Sequence, residues 1–277
     1  MGTCMSEYCF LTSVYKNTKT DEMKLTVESM ENQTVKPSQI VIVIDGQIPE
    51  DLKNYIDDLA GKNPSLYTVV PIENNVGLGN ALRTGTDYCR YELIARIDTD
   101  DISRLDRCEI QLGFLDKNPE YSVVGSNMAE FIDNPDNIIS IRNVPEKHED
   151  ICEYLKKRCP MNHITVMFKK SEVEKAGGYK DWFFDEDSYL WVRMFLAGCK
   201  FYNIQDVLSF ARVGKDMYRR RGGYKYYKSE RDLFKFMKKN KIITGFQYFK
   251  AKTVRFILYV LMPNGMRQWA FKKFARK

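Results

Sequence analysis

The stretch ELIARIDTDDISRLDR, residues 92 to 107, runs the apolar segment Leu93-Ile94-Ala95 into Asp98, Asp100 and Asp101, and then into a segment of helical length. An apolar strand that closes in a polar turn before a helix is the repeating unit of an α/β sheet. Three carboxylates in four positions are more than such a turn needs, because one small polar cap suffices and crowded like charges repel. Either the turn is simply solvated, as Asp-containing turns commonly are, or a cation or substrate hydroxyls offset the repulsion.

The same unit recurs along the first half of the chain. The runs CFLTSVY (9 to 15), QIVIVIDG (39 to 46), LYTVVPI (66 to 72), YELIARID (91 to 98) and YSVVGS (121 to 126) alternate with helix-length segments at 21 to 33, 50 to 60, 77 to 90 and 104 to 117. Strands apolar on both faces, with helices between them, predict a mainly parallel, Rossmann-like sheet flanked by helices. Ligands of open α/β sheets bind at the carboxyl ends of the strands, which selects Ser13 to Tyr15, Asp45-Gly46, Glu73 to Gly77 and Asp98 to Asp101 as one rim. After residue 126 the alternation loosens. HITVMFKK (163 to 170) and CKFYNI (199 to 204) read as strands, and FDEDSYLWVRMFLAGC (184 to 199) as a helix with an acidic first turn. Further helices are expected at about 225 to 240, 246 to 261 and 264 to 276. The expected organisation is an α/β domain over 1 to 211, its nucleotide half ending near 126, and a basic, mostly helical extension over 212 to 277.

At 277 residues, 44 % apolar and 13 % aromatic, the chain can bury a substantial core. It contains no run of about 18 apolar residues of the kind that spans a bilayer. The first apolar run is too short and too early for a secretory leader. Seven scattered cysteines without a CxxC pair point the same way, toward reduced thiols in the cytoplasm rather than disulfides or a zinc site. Charge is unevenly shared. From Arg212 onward 20 Lys and Arg stand against 3 Asp and Glu, whereas residues 1 to 211 carry 23 against 34. An acidic body with a basic tail suits an anionic partner surface.

Carboxylates without neighbouring His or Cys favour a hard cation, Mg²⁺ or Mn²⁺, whose coordination shell is usually completed by phosphate oxygens and water. An aspartyl-phosphate phosphatase would carry its Asp pair after the first strand, not the fourth. A sugar nucleotidyltransferase would open on a Gly-rich, Arg-containing loop, which LTSVYKNTKTDE is not. Sugar transfer from a nucleoside diphosphate remains.

The segments SVYKN, ESMENQTVKPSQIVIVIDG, NNVGLGNALRTG, DTDDISRLDRCEIQLGFLDKNPE, HITVMFKKSEVEKAGGY and DEDSYLWVRM, in this order over nearly the whole chain, resemble the family 2 glycosyltransferases of the GT-A fold. The branch that builds bacterial capsular, amylovoran-like and other exopolysaccharides is the most similar. The resemblance implies an inverting, metal-dependent transferase. Its donor would be a nucleotide sugar and its acceptor a saccharide, free, lipid-linked or protein-linked.

Carried over, Tyr15 and Asp45 match positions that contact base and ribose, with Ser13 beside them. A carboxylate at Asp45 can accept from the imide N–H of uracil, which points to a UDP-sugar; a plain turn cap is the competing role. Asn75, Gly77 and Asn80 match the nucleotide-side loop and helix start, where a bare backbone approaches the ligand. Asp98 and Asp100 match the DxD pair. Asp100 is the first choice for metal contact, Asp98 for the ribose or a water-mediated contact, and Asp101 for a second ligand or helix cap. Arg96 and Leu105 depart from the apolar residue and the proline that the family places around this motif. Asp187 matches the general base of the ED-x-x-LW pattern, with Glu186 second. Without the resemblance, Asp185, Glu186 and Asp187 would read as surface charge at a helix start. His163 lies toward the acceptor side. Arg219 to Arg221, Arg221 foremost, are candidates to clamp the donor diphosphate or an anionic acceptor, with a basic loop facing lipid headgroups as the alternative.

Phe249, Phe256, Ile257, Val260 and Leu261 recur at helical spacing between Lys250, Lys252 and Arg255. An interfacial helix on the inner face of the cell membrane has this pattern, and so does a stripe packed on the body or a homo-oligomer contact. The competing reading of the whole chain is a non-catalytic binder that uses its tail on nucleic acid or membrane. No nucleic-acid motif accompanies the tail, and the acidic clusters would repel a phosphate backbone.

Overall fold

The computed structural model of the chain describes residues 7–214, 222–263 and 265–267. Strands β1 (Tyr8–Val14), β2 (Gln39–Asp45), β3 (Tyr67–Ile72) and β4 (Leu93–Arg96) alternate with helices α1 (Thr20–Glu31), α2 (Glu50–Lys62) and α3 (Leu78–Tyr88), as the apolar runs predict. They form a parallel block in the order β3-β2-β1-β4, so the carboxyl ends of all four strands meet at one edge. The remaining strands are β5 (Ile102–Ser103), β6 (Val123–Phe131), β7 (Ile138–Arg142), β8 (Met167–Lys169) and β9 (Phe201–Arg212). They extend the sheet as β4-β8-β6-β9-β5, with β7 beside β6. Only β6 and β9 pair in parallel there, and the other contacts are antiparallel. The whole is a mixed α/β sheet whose parallel half carries the rim.

The segment 163 to 170 is mostly not the strand its apolar pattern suggests. His163–Thr165 forms a 3₁₀ turn, only Met167–Lys169 joins the sheet, and α6 (Lys170–Lys175) follows. Side chains take over the ladder at this point. Thr165 Oγ1 accepts from the Ser126 N–H at 2.9 Å, and Asn162 Nδ2 donates to the Ser126 carbonyl at 2.8 Å. Helices α4 (Arg107–Lys117), α5 (His148–Leu155) and α7 (Glu186–Leu196) complete the body, followed by α8 (Tyr224–Lys239) and α9 (Gly245–Phe256). The expected 246 to 261 helix widens into a π turn at Ile257–Leu261, and most of the segment 264 to 276 lies outside the described residues.

Alternation along the central strands builds two cores. Tyr8, Phe10, Ile40 and Ile42 face Met23, Val27, Leu52, Ile56 and Leu112 of α1, α2 and α4. Cys9, Leu11, Val41 and Val43 lie in the same cluster as Ala81 and Leu82 of α3, Leu190 and Trp191 of α7, and Leu233, Phe234 and Met237 of α8. At roughly 1.5–3 kcal/mol for each large apolar side chain fully buried, that contact holds the tail helix on the body. Its lysines, Lys235, Lys238 and Lys239, point outward.

Helix α3 lies so close to the sheet at Gly85 that an added Cβ would stand 2.5 Å from Leu11 Cδ1 and 2.6 Å from Val43 Cγ2. Gly85→Ala is expected to destabilise the fold by about 1–3 kcal/mol through overpacking, read as a lower urea midpoint at unchanged slope. An unchanged midpoint would mean that this helix can shift without cost.

Candidate functional site

The parallel edge brings the first predicted rim residues together. β2 ends at Asp45, and Gly46 turns the chain with φ +81°; a side chain there would meet the Asn75 backbone N at 2.8 Å. The Asp45 carboxylate accepts from Asn75 Nδ2 at 2.9 Å, Val76 N–H at 2.7 Å and Gly77 N–H at 3.1 Å. Both of its oxygens are therefore engaged by the loop that leads into α3, and a base imide would be an additional donor. Gly77, at φ +85°, is the residue before that helix. Asn80 turns back, donating to the Val76 carbonyl at 3.0 Å. Ser13 is half-buried at the end of β1, and Tyr15 is exposed just past the strand that pairs with β2.

Asp98, Asp100 and Asp101 offer ligand oxygens within 4.8 Å of one another, the one such cluster among the described residues. Burial and then the charge of Asp98 push the Asp100 carboxyl up to about 6. Burial and then Asp100 hold the Asp101 carboxyl well above its ordinary range. Acids so crowded gain by sharing a cation, and an all-oxygen donor set fits Mg²⁺ or Mn²⁺. Asp101 is also committed to structure: its Oδ1 accepts from the Arg212 N–H at 2.8 Å, and its backbone carbonyl accepts from Thr26 Oγ1 at 2.8 Å. Arg212, the last residue of β9, lies 3.6 Å from Glu22 as well.

Beneath this cluster lies Arg96, which the sequence shows only as a departure from the family pattern. It is 1 % exposed and its Nη2 pairs with Asp98 Oδ1, while Nε and Nη1 have no protein partner. Burial alone would lower its affinity for a proton, but the Asp98 charge more than offsets this and holds the guanidinium firmly charged. Below it, Arg107 Nη2 donates to the Arg96 carbonyl at 2.8 Å and to the Val166 carbonyl at 3.1 Å. Burial lowers Arg107 to about 10. His163 shares a 2.9 Å hydrogen bond with the Tyr179 hydroxyl and is kept neutral by burial and then by Arg96, its pKa well below the ordinary value. A charge inside the apolar strand LIAR was the available signal for Arg96.

Across the cleft stands the start of α7. An added Cβ at Gly79, in the first turn of α3, would meet the Lys180 carbonyl at 2.5 Å and Glu186 Cβ at 3.2 Å, so a missing side chain lets the two helix starts meet. Asp187 Oδ1 accepts from the Ser188 N–H at 2.6 Å and from Ser188 Oγ at 3.3 Å, and its Oδ2 faces Cys159 Sγ at 3.7 Å. Burial and then Asp187 push the Glu186 carboxyl up to about 8. Asp185 is not the surface charge that its place at a helix start suggests. It is 5 % exposed, its Oδ2 has no protein partner, and burial followed by Glu230 of α8 raises its carboxyl well above the ordinary range. The cover comes from a helix some 45 residues further along the chain, which local sequence could not reveal. Arg221, with Arg219 and Arg220, lies outside the described residues.

Residues 11–174 match the model of the glycosyl transferase family 2. The chain is a family 2 glycosyltransferase. It is 36 % identical over 253 residues to an Escherichia coli UDP-Gal:alpha-D-GlcNAc-diphosphoundecaprenol beta-1,3-galactosyltransferase, covering 91 % of this chain and 90 % of that protein. It is 33 % identical over 269 residues to the amylovoran biosynthesis glycosyltransferase AmsE of Erwinia amylovora, covering 96 % and 98 %. Among solved structures, residues 1–349 of S. aureus TarS in complex with UDP-GlcNAc superpose with a TM-score of 0.68 at 14 % identity, over 97 % of this chain and 76 % of that one. The mannosyltransferase PcManGT of Pyrobaculum calidifontis, in complex with GDP-Man and Mn²⁺, gives 0.64 at 14 %, over 96 % and 72 %. The fold of this family 2 glycosyltransferase is GT-A, and the non-catalytic reading gives way to an enzyme.

Replacing Arg96 tests its role as the built-in counter-charge of the acidic rim. Breaking a buried ion pair costs about 3–5 kcal/mol. Since the Asp98 side chain is 40 % exposed, a smaller loss of roughly 1–3 kcal/mol is expected for Arg96→Met in EDTA. Mn²⁺ should raise the melting midpoint of this variant more than that of the parent, and Arg96→Lys should lie between them. Equal metal responses would remove Arg96 from the charge balance of the site.

Proposed function

We propose that this glycosyltransferase moves a sugar, with inversion, from a UDP-sugar to a saccharide acceptor carried on a lipid diphosphate during polysaccharide assembly. The observation that carries the reading is the nearness of two acidic groups, Asp98 to Asp101 at the parallel sheet edge and Glu186-Asp187 at the start of α7, close enough for the Asp98 charge to act on Glu186. The similar proteins support the chemistry through their own names, UDP-GlcNAc and a diphosphoundecaprenol substrate among them.

Asp98 and Asp100, with Asp101 behind them, would hold Mn²⁺ or Mg²⁺, which when bound offsets the charge of the donor diphosphate. Asp45 fixes the loop from Asn75 to Gly77 against the nucleotide, and with Tyr15 it selects uracil. Ser188 orients Asp187 so that its carboxylate takes the proton of the acceptor hydroxyl. The acceptor oxygen then bonds to the anomeric carbon as the bond from that carbon to the diphosphate oxygen breaks on the opposite face. The new glycosidic bond has inverted configuration, the nucleoside diphosphate leaves with the bonding pair, and the proton resides on Asp187. Glu186, held largely protonated at neutral pH by its surroundings, is the poorer base.

No helix among the described residues is long and apolar enough to cross a membrane. Phe246, Phe249, Ile257 and Leu261 are nevertheless exposed on α9 and the turn after it, beside exposed Lys250 and Lys252. This surface suits the anionic, cytoplasmic face of the cell membrane.

Activity is expected only with a divalent ion, and with UDP-sugars in preference to GDP-sugars. Asp187→Asn should retain donor affinity while losing transfer by ~10² to 10⁴. Full turnover in EDTA, or near-normal transfer by Asp187→Asn, would overturn the corresponding assignment. For the membrane surface, sedimentation with anionic vesicles should exceed that with neutral ones and fall for Phe246→Ser with Phe249→Ser. Equal recovery in all cases would reject it.

A further inference from the structure

Directly before the acidic start of α7, Phe184 is held in a backbone conformation that side chains seldom adopt. The Asp185 N–H donates to the Trp182 carbonyl at 3.3 Å, which closes a turn over residues 182 to 185, and Phe184 takes its third place at φ +60°. A turn with positive φ at that place calls for glycine or asparagine, because a larger side chain crowds the backbone there. Among the described residues the other non-glycine with positive φ is Lys241. It ends α8, where the Ile242 N–H donates to the Met237 carbonyl at 3.0 Å, a common use of that conformation. Phe184 ends no helix.

Burial does not offset the strain either. The Phe184 ring is 48 % exposed, meeting Phe183 edge-to-face with centroids 4.6 Å apart and Tyr226 at 6.1 Å. Helix α8 pins the turn instead. Ser229 Oγ donates to the Phe183 carbonyl at 2.6 Å, the Trp182 indole N–H donates to the Ser229 carbonyl at 3.4 Å, and Lys225 Nζ lies 4.0 Å from the centroid of the Phe183 ring. Strain maintained by neighbours is characteristic of ligand clamps. What it achieves here is to set an aromatic ring on the wall of a cavity of about 450 Å³ that Asp185 and Asp187 also line.

We infer that Phe184 orients the acceptor, its ring stacking on the C–H face of the sugar whose hydroxyl Asp187 deprotonates. The inference rests on the reading of Asp187 as the base and adds a positioning residue to that reaction.

A pyranose carries hydroxyls around its rim and C–H bonds on its faces. Carboxyls bind the rim, and Asp185 Oδ2 is buried beside the ring without a protein partner. Contacts to the rim alone leave a sugar free to tilt about any one hydroxyl, whereas a flat apolar surface fixes its plane. A fixed plane matters because the attacking oxygen must lie in line with the bond that breaks. A phenyl ring on a relaxed loop would offer the surface without the fixed plane, which accounts for a strained turn pinned by α8. Insertion of Phe184 into a membrane, the competing use of an exposed ring, requires neither a constrained backbone nor carboxyls beside it.

The test compares the parent with Phe184→Gly and Phe184→Tyr. Acceptors are the octyl glycosides of glucose, galactose and N-acetylglucosamine below their micelle concentrations; donors are UDP-glucose, UDP-galactose and UDP-N-acetylglucosamine with Mn²⁺. For the pair that reacts fastest, Phe184→Gly should raise the acceptor KM about tenfold or more and lower kcat less, and Phe184→Tyr should recover most of the loss. Because glycine relaxes the turn, Phe184→Gly should melt no lower than the parent and bind UDP with Mn²⁺ as tightly. Saturation-transfer NMR with the same glycosides, on enzyme filled with UDP and Mg²⁺, reads the contact without turnover. Transfer to the sugar-ring protons should fall in Phe184→Gly and persist in Phe184→Tyr. A parent that contacts none of the glycosides, equal acceptor KM and equal transfer in Phe184→Gly, or a loss confined to the octyl protons overturns the inference and leaves the donor reading in place. A lowered melting point with no selective change in acceptor KM likewise reduces Phe184 to a structural part. Failure of UDP with Mn²⁺ or Mg²⁺ to bind the parent overturns the donor reading, and this inference with it.

Discussion

A guanidinium buried under carboxylates is the interaction on which the working edge of this protein depends. Arg96 is enclosed in the sheet with Asp98 above it, and Arg107 in turn holds the Arg96 carbonyl from below. Such arrangements seldom add net stability, because desolvation of both charges costs about as much as their attraction returns. What they fix is position. Without a positive charge from within, three neighbouring aspartates would be driven apart or protonated. With it, the rim can keep its shape before any ion arrives. Arg212 does related work at the edge, tying the end of β9 to Asp101 and lying near Glu22.

The parallel half of the sheet was legible because each of its strands is apolar on both faces and each ends in a polar turn. Those local patterns also placed Asp45, Asn75, Gly77 and the Asp98 cluster at one edge, where the structure has them. The remainder depends on partners remote in sequence. Met167–Lys169 is a strand because β4 and β6 flank it, whereas Thr165 leaves the ladder to cap Ser126 by its side chain. Asp185 reads as a surface charge until α8 is laid over it. The tail reads as basic, yet the face it turns inward is Leu233, Phe234 and Met237, and only the outward face carries the lysines. Arg96 was visible as a charge in an apolar strand, but nothing in its neighbours says that it lies inside rather than at a strand edge.

The acids of the cleft separate into roles by environment. Asp187 is held by Ser188 with an oxygen turned toward Cys159, while burial and neighbouring charges push the Glu186 and Asp185 carboxyls above their ordinary range. Neighbouring carboxyls pushed apart in this way can supply one base and two hydrogen-bond donors without further residues. His163, kept neutral between Tyr179 and Arg96, adds no charge to the cleft.

The contact at Gly79 sets how closely the starts of α3 and α7 approach, and it is made largely by a backbone carbonyl against a residue with no side chain. Side-chain contacts drift as sequences change, whereas this one contains nothing on either side that a substitution at Lys180 would alter. The spacing of the two helix starts is thereby insulated from substitution at Lys180 and exposed to substitution at Gly79. Any residue larger than glycine at position 79 must push back the Lys180 carbonyl or move a helix, so the joint tolerates a changed side chain at Lys180 and none at its centre.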